Sequence, residues 1–301
     1  MAILIDPAVW PAHGTTFAHL VSDESLAELH AFADAAGLDR RAFDLDHYDV
    51  PAERREALIA LGAHPVPAKE LIWRLRASGL RIPARDRTPA LLDTLRRSWS
   101  RVLPAFPGEH DGPARALGEE LLQRWSEAHR AYHDLRHLRD VLAALERLRA
   151  PDPVPVSVLL GAWFHDAIYD GVAGSDEERS AELAATRLTG AGAPQPLIDE
   201  TTRLVLLTRS HDPAPTDYRG QLICDADLAV LGRDAAGYAR YLSDIRTEYA
   251  HVPEPAFVDG RIAVVHRLLA LDPIYRTHVA RDLWEDRARR NLKRELELLG
   301  T

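Results

Sequence analysis

Val156 to Asp170 reads VSVLLGAWFHDAIYD. From Val156 to Ile168 the run is apolar except for Ser157, Gly161 and the pair His165-Asp166. A helix that is apolar on nearly every side belongs inside a core. An ionisable pair there is costly unless it is neutralised, hydrogen-bonded or bound to a cation. Adjacent side chains on a helix point roughly 100° apart, so both reach one ion only at a helix–helix seam. Ser157, Gly161 and His165 recur at i, i+4, and the small residues on that face would let a second helix come close. The stretch predicts a helix over 155–169 and further groups that share whatever His165 and Asp166 hold.

The preceding segment supplies one such group. Tyr132-His133-Asp134-Leu135-Arg136-His137 opens a predicted helix over 133–149, with Leu138, Val141, Leu142, Leu145 and Leu148 as its apolar stripe. On a regular helix His137 falls about 80° from the stripe centre and His133 about 120° away. His137 is therefore at the edge of the buried face and His133 nearer solvent. Further on, Asp225-Ala226-Asp227 sits inside Leu222-Ile223-Cys224 and Leu228-Ala229-Val230-Leu231. Asp227 shares a face with Ile223, Cys224, Val230 and Leu231, where an acid again needs a cation. His133 and Asp225 are the alternatives to His137 and Asp227. Two imidazoles and two carboxylates suit a borderline divalent transition metal better than calcium.

The chain has 301 residues, 46% hydrophobic and 28% charged, enough to bury a core and consistent with about two domains. A formal net charge of -9 argues against broad binding to nucleic acid or anionic membranes. One cysteine, Cys224, excludes an internal disulfide. With no signal peptide or long apolar span in view, a cytoplasmic protein is expected.

Strand and helix signals alternate over residues 1–82. Ala2-Ile3-Leu4-Ile5, Ala42-Phe43-Asp44-Leu45 and Ala63-His64-Pro65-Val66 read as short strands. Helices are expected from a Ser22 cap to Gly37, from Pro51 to Leu61 and from Pro67 to Ser78. This unit carries a polar cluster of Asp6, His13, His19, Asp23, His47 and Asp49. A proline-bearing linker is expected at 83–89. Beyond it the pattern is helical throughout, including 221–232 and 277–299. The fold class is an α+β two-domain chain, a small N-terminal α/β domain followed by an all-α bundle over 90–301.

His137, then His165-Asp166, then Asp227, in this order and spacing, resembles the HD superfamily of metal-dependent phosphohydrolases. The phrases YHDLRHL, WFHDAIYD, DEERSAE, CDADLAVLG and YLSDIRTEYAHVP look closest to its predicted bacterial phosphohydrolase branch, over about residues 88–301. The N-terminal phrases ILIDPAVWPAHG, FAHLVSDESLAELHAFA and DHYDVP look like a small bacterial domain family with no assigned function. The HD resemblance implies that His137, His165, Asp166 and Asp227 ligate one divalent metal: Mn, Fe, Zn, Co, Ni or Mg. Asp170, one turn after Asp166, and Glu178, opening the next helix, are further catalytic candidates. His133, His211, Asp225 and Arg246 are candidates for a second metal or for phosphate. The implied activity is hydrolysis of a nucleotide or other small phosphate ester by a metal-activated water. A nucleotide-sensing module without turnover is the alternative. A di-metal oxygenase, which would recruit His211 and another acid, is a third. The expected partner is a small phosphorylated substrate, and a homodimer is left open.

Overall fold

A computed structural model describes residues 2–12, 14–81, 88–107, 112–149, 152–172 and 175–300. The chain divides into two units, Met1–Arg87 and Thr88–Thr301. Most of the expected linker lies outside the described residues, and Thr88 already opens a helix.

The N-terminal unit is built on a six-stranded sheet: β1 (Ile3–Ile5), β2 (Trp10–Ala12), β3 (Thr15–Ser22), β4 (Phe43–Asp44), β5 (His47–Pro51) and β6 (His64–Pro65). The order is β4-β5-β3-β1-β6, with β2 paired to β3. β1 and β6 run parallel, and the other pairs are antiparallel. Helices α1 (Leu26–Ala35), α2 (Ala52–Ala60) and α3 (Ala68–Ala77) pack on it. Strand alternation divides the apolar residues between two faces. Ile5, Leu20, Tyr48 and Val50 form one core with Leu29 and Leu58 of α1 and α2. Leu4 and Val21 form the other with Leu71 and Leu75 of α3. β3, the longest strand, stands where no strand was expected. The cap of α1 is Ser25, which accepts the Glu28 N–H, rather than Ser22. Ser22 instead ends β3 and its hydroxyl accepts from the Glu24 and Ser25 N–H groups.

In the second unit no strand occurs among the described residues. Its helices are α4 (Thr88–Trp99), α5 (Pro113–Arg124), α6 (Leu135–Leu148), α7 (Val156–Phe164), α8 (Ser175–Gly190), α9 (Gln195–Leu207), α10 (Tyr218–Asp227), α11 (Ala235–Glu248) and α12 (Glu254–Ala270). α13 (His278–Ala280), a π-helical turn (Arg281–Glu285) and α14 (Asp286–Leu299) occupy the span expected as one helix. α7 is the axis of this core: every residue from Ser157 to Phe164 is buried. The second helix admitted by its small face is α9, for a Cβ added at Gly161 would sit 3.4 Å from Leu204 Cβ. Trp125 donates its indole N–H to the Trp163 carbonyl at 3.0 Å, and the Trp99 ring meets Trp163 edge-on at 5.0 Å.

Three local departures from the expected helices decide where the polar groups fall. α6 begins at Leu135, because Asp134 caps it by accepting the Arg136 and His137 N–H groups. His133 therefore precedes the helix. α7 ends at Phe164 instead of running to 169, so His165 and Asp166 occupy the turn after it. α10 ends at Asp227 and tightens into a 3₁₀ turn, Leu228–Gly232. Asn291 of α14 secures that turn by donating to the Leu231 and Arg233 carbonyls.

A Cβ at Gly232 would lie 2.4 Å from Trp284 Cβ and 2.9 Å from its Cα. No rotamer change moves those atoms away. Gly232→Ala is expected to destabilise the helical unit by about 1–3 kcal/mol, the usual cost of overpacking. Denaturant unfolding followed by tryptophan fluorescence measures it, and an unchanged midpoint would refute the close approach.

Candidate metal centre

The three helix ends converge. His137 Nε2 lies 3.1 Å from His165 Nε2. Asp227 Oδ1 lies 3.1 Å from the first and 3.4 Å from the second. Asp166 Oδ2 approaches from the same loop, 3.2 Å from His165 Nε2 and 3.8 Å from His137 Nε2. His137, His165 and Asp227 thus form a group able to hold a metal ion. Donors about 2.1 Å from a tetrahedral ion would be roughly 3.4 Å apart, which these separations match.

The donor chemistry fits as well. His165 Nδ1 donates to the Ala162 carbonyl at 2.9 Å, and a carbonyl can only accept. A neutral His165 ring must then offer a lone pair at Nε2, facing the other imidazole. Burial opposes a positive charge on His165, but Asp166 and Asp227 outweigh it and raise its proton affinity well above the ordinary histidine value. Burial would push Asp227 up, yet His165, His137 and His211 hold its carboxyl well below the usual carboxylate range. The pocket favours positive charge at its centre.

A surrounding layer fixes these groups. The buried Arg130 guanidinium donates to the carbonyls of His133, Asp166 and Ala167, which pins the turn after α7. His211, in left-handed backbone at φ 53, meets the second Asp227 oxygen at 2.8 Å. Glu248 Oε2 accepts the backbone N–H groups of Ala131, Tyr132 and His133, while Oε1 meets His133 Nδ1 at 2.6 Å. His133 Nε2 then lies 4.0 Å from Asp166 Oδ2, and its ring stacks on Tyr169. Asp166 and Asp227 line a cavity of about 470 Å³. Tyr241, Ile245, Phe257, Val264 and Leu268 line its apolar part, and His133, Asp166, His211, Asp227 and Arg267 its polar part.

Four expected site residues go elsewhere. Asp170 is half exposed and paired with Arg179, because the chain has left the helix and one-turn spacing no longer holds. Glu178 points outward to Arg209, whereas Asp176 and Glu177, on the preceding positions of α8, line the cavity. Asp225 is buried on the far side of α10, where it accepts the Arg276 and Thr277 N–H groups at 2.7 Å. Arg246 braces the turn between α11 and α12, bonded to Glu254 and to the Tyr249 carbonyl, with its guanidinium over Phe257. Arg130 was not signalled by sequence: it sits in a loop, where periodicity carries no information.

Of the N-terminal cluster, Asp6, His19, His47 and Asp49 come together on the sheet. Asp23 instead pairs with Arg74 and accepts the Ala2 N–H. His13 lies outside the described residues.

Residues 3–78 match a family model described as a protein of unknown function (DUF4031). No curated protein and no solved structure matches the chain. No family match accompanies the HD resemblance of the helical unit, which is all-helical among its described residues. Among the described residues, no helix is long and apolar enough to cross a membrane.

Burial pushes the Glu248 carboxyl up, but His133 and the backbone donors outweigh it and lower its pKa from 4.5 to about 2. A depressed carboxylate stabilises the fold fully above its unfolded pKa and ceases to do so as pH falls toward the folded one. Glu248→Gln is therefore expected to be less stable than the parent at pH 6, with the difference shrinking between pH 4.5 and 2. Melting curves across that range check it; a pH-independent difference would show that Glu248 acts through shape alone.

Proposed function

We propose that the helical unit is an HD-type metal-dependent phosphohydrolase acting on a small phosphate ester, with a nucleotide as the best-fitting class. One observation carries this: His137 Nε2, His165 Nε2 and Asp227 Oδ1 meet within 3.4 Å of one another, beside Asp166, and both carboxylates line a cavity. His137, His165, Asp166 and Asp227 would hold the cation, and the nitrogen–oxygen donor set suits Mn, Fe, Zn, Co or Ni better than Mg. When bound, it supplies Lewis-acid polarisation of a phosphoryl oxygen and a lowered pKa for water at the site.

The chain's own groups account for the rest. His211 holds the second Asp227 oxygen and so fixes the carboxylate's tilt. Trp125 and Tyr132 pack against the His165 and His137 rings and keep bulk water off that side. Burial disfavours a charged His133, but Glu248 at Nδ1 and the nearby Asp166 outweigh it and raise its proton affinity, so a doubly protonated His133 would give its Nε2 proton to a leaving-group oxygen. The aromatic and aliphatic wall of Tyr241, Ile245 and Phe257 suits a planar apolar moiety such as a nucleobase, and Arg267 adds positive charge for a phosphate.

The full chain, stripped with a chelator and reloaded with Mn²⁺, should release phosphate from members of a nucleotide panel. His165→Gln and Asp227→Asn are each expected to lower metal affinity and turnover by at least about 100-fold. Asp170→Asn should stay within about twofold of the parent, as expected of an exposed substitution. Phosphate assay and elemental analysis read both quantities. Stoichiometric metal without turnover on any phosphoester would move the unit to the sensing class.

A further inference from the structure

The N-terminal sheet carries a second set of oriented imidazoles. Strand alternation puts Leu4 and Val21 on the face covered by α3, and the same parity assigns Asp6, His19, His47 and Asp49 to that face. His19 and Asp49 are direct cross-strand partners of β3 and β5, and His47 is two residues from Asp49. Asp6 directly follows β1, its own N–H donating to the His19 carbonyl.

Each ring is locked at one nitrogen by a buried carboxylate. His19 Nδ1 donates to Asp6 Oδ2 at 2.9 Å, while Asp6 Oδ1 accepts the His19 backbone N–H at 2.6 Å. His47 Nδ1 donates to Asp46 Oδ1 at 2.6 Å, and Arg81 neutralises Asp46 from the other side. With Nδ1 of each ring held by Asp6 or Asp46, Nε2 is the nitrogen that each ring turns away from its orienting carboxylate. His47 Nε2 lies 3.4 Å from Asp49 Oδ1, and the two imidazole centroids are 4.9 Å apart. One donor atom from each of His19, His47 and Asp49 lies within 4.8 Å of the others.

We propose that His19, His47 and Asp49 bind a borderline divalent cation, Zn²⁺ foremost, and that Asp6 and Asp46 are its imidazole-orienting carboxylates. Two imidazoles and one carboxylate disfavour calcium and magnesium, which prefer all-oxygen sites. Carboxylates behind the rings raise their basicity and fix their aim, as around histidine-bound zinc generally. His19 and Asp49 remain partly exposed, with 26% and 46% of their side-chain surface accessible. Three protein donors on an accessible face leave a position for water or a substrate oxygen, as in catalytic rather than closed structural zinc sites. This site is independent of the phosphohydrolase assignment.

The test uses the full chain carrying Asp227→Asn, which disables the helical centre. After chelation it is titrated with Zn²⁺ alone, and with Co²⁺ for its visible absorption bands. One equivalent is expected to remain after gel filtration. Adding His19→Gln or Asp49→Asn, both at partly exposed positions, should weaken it at least tenfold and remove the Co²⁺ bands. Adding Asp6→Asn should weaken it by about 10–100-fold, the usual effect of losing an orienting carboxylate. Circular dichroism establishes that each variant is folded. Failure of the Asp227→Asn chain to retain metal would overturn the proposal, leaving a His47–Asp49 ion pair. Metal retained with unchanged affinity in both His19→Gln and Asp49→Asn would overturn it equally.

Discussion

Two imidazole nitrogens that face each other across 3.1 Å in a buried pocket, with a carboxylate against both, set the terms for the helical unit. A cation among these groups, a proton on His165 or a metal ion, gives the Asp166 and Asp227 carboxylates a counter-charge that they otherwise lack. In a low-dielectric interior that attraction is large, and it must be set against the cost of removing each polar group from water. The donors therefore come from different helices, each brought in at a terminus. α7 stops at Phe164, α6 starts at Leu135 and α10 stops at Asp227. At a terminus the backbone is free to turn a side chain inward without opening a helix's own hydrogen bonds.

Positions so placed need bracing, and most of it comes from groups that touch no proposed donor atom. Arg130 holds the carbonyls of the turn that carries Asp166 with the forked donors of its guanidinium. Glu248 ties the segment before α6 to α11 through three backbone N–H groups. The Ala162 carbonyl selects the His165 tautomer. The packing beneath obeys the same logic: Gly161 admits α9, and Gly232 admits the Trp284 backbone. A Cβ at Gly232 would displace the Trp284 backbone, whereas one at Gly161 would meet Leu204 at van der Waals distance.

What the sequence disclosed follows from where regular periodicity holds. The stripe Leu138, Val141, Leu142, Leu145 and Leu148 is buried as helical spacing requires, and His137 lies on its edge. Asp227, placed by its apolar neighbours, faces the imidazoles, and Asp225 faces away. Where the chain leaves the helix, that arithmetic fails. Asp170 was placed by counting a turn that does not exist, and His133 by extending α6 backward past its cap. Arg246 illustrates a different limit, since charge at a position does not reveal whether a neighbour such as Glu254 already satisfies it. In the N-terminal unit β3 carries little strand signal, because Ala18, His19 and Leu20 alternate apolar and polar groups over only three of its eight residues. The composition groups Asp6, His19, His47 and Asp49, but the register that sets His19 opposite Asp49 belongs to β3 and β5, and neither strand stands out in the sequence.

The two clusters use different chemistry to aim an imidazole. In the helical unit His165 is steered by a neutral backbone carbonyl, and the negative charge sits on the donors Asp166 and Asp227 themselves. In the sheet unit His19 and His47 are steered by carboxylates, so negative charge sits behind the rings. A carboxylate-backed imidazole is the stronger base and the stronger ligand. A carbonyl-backed one leaves more of the cation's charge to be balanced by the acids and by whatever anion enters the cavity. On the proposed reading, a cation in the helical arrangement would retain Lewis acidity for an incoming phosphate ester, and one on the sheet would be held more tightly. That difference follows from the scaffolds. A helix terminus offers backbone carbonyls as orienting partners, whereas a strand with its backbone committed to pairing must find them in side chains such as Asp6 and Asp46.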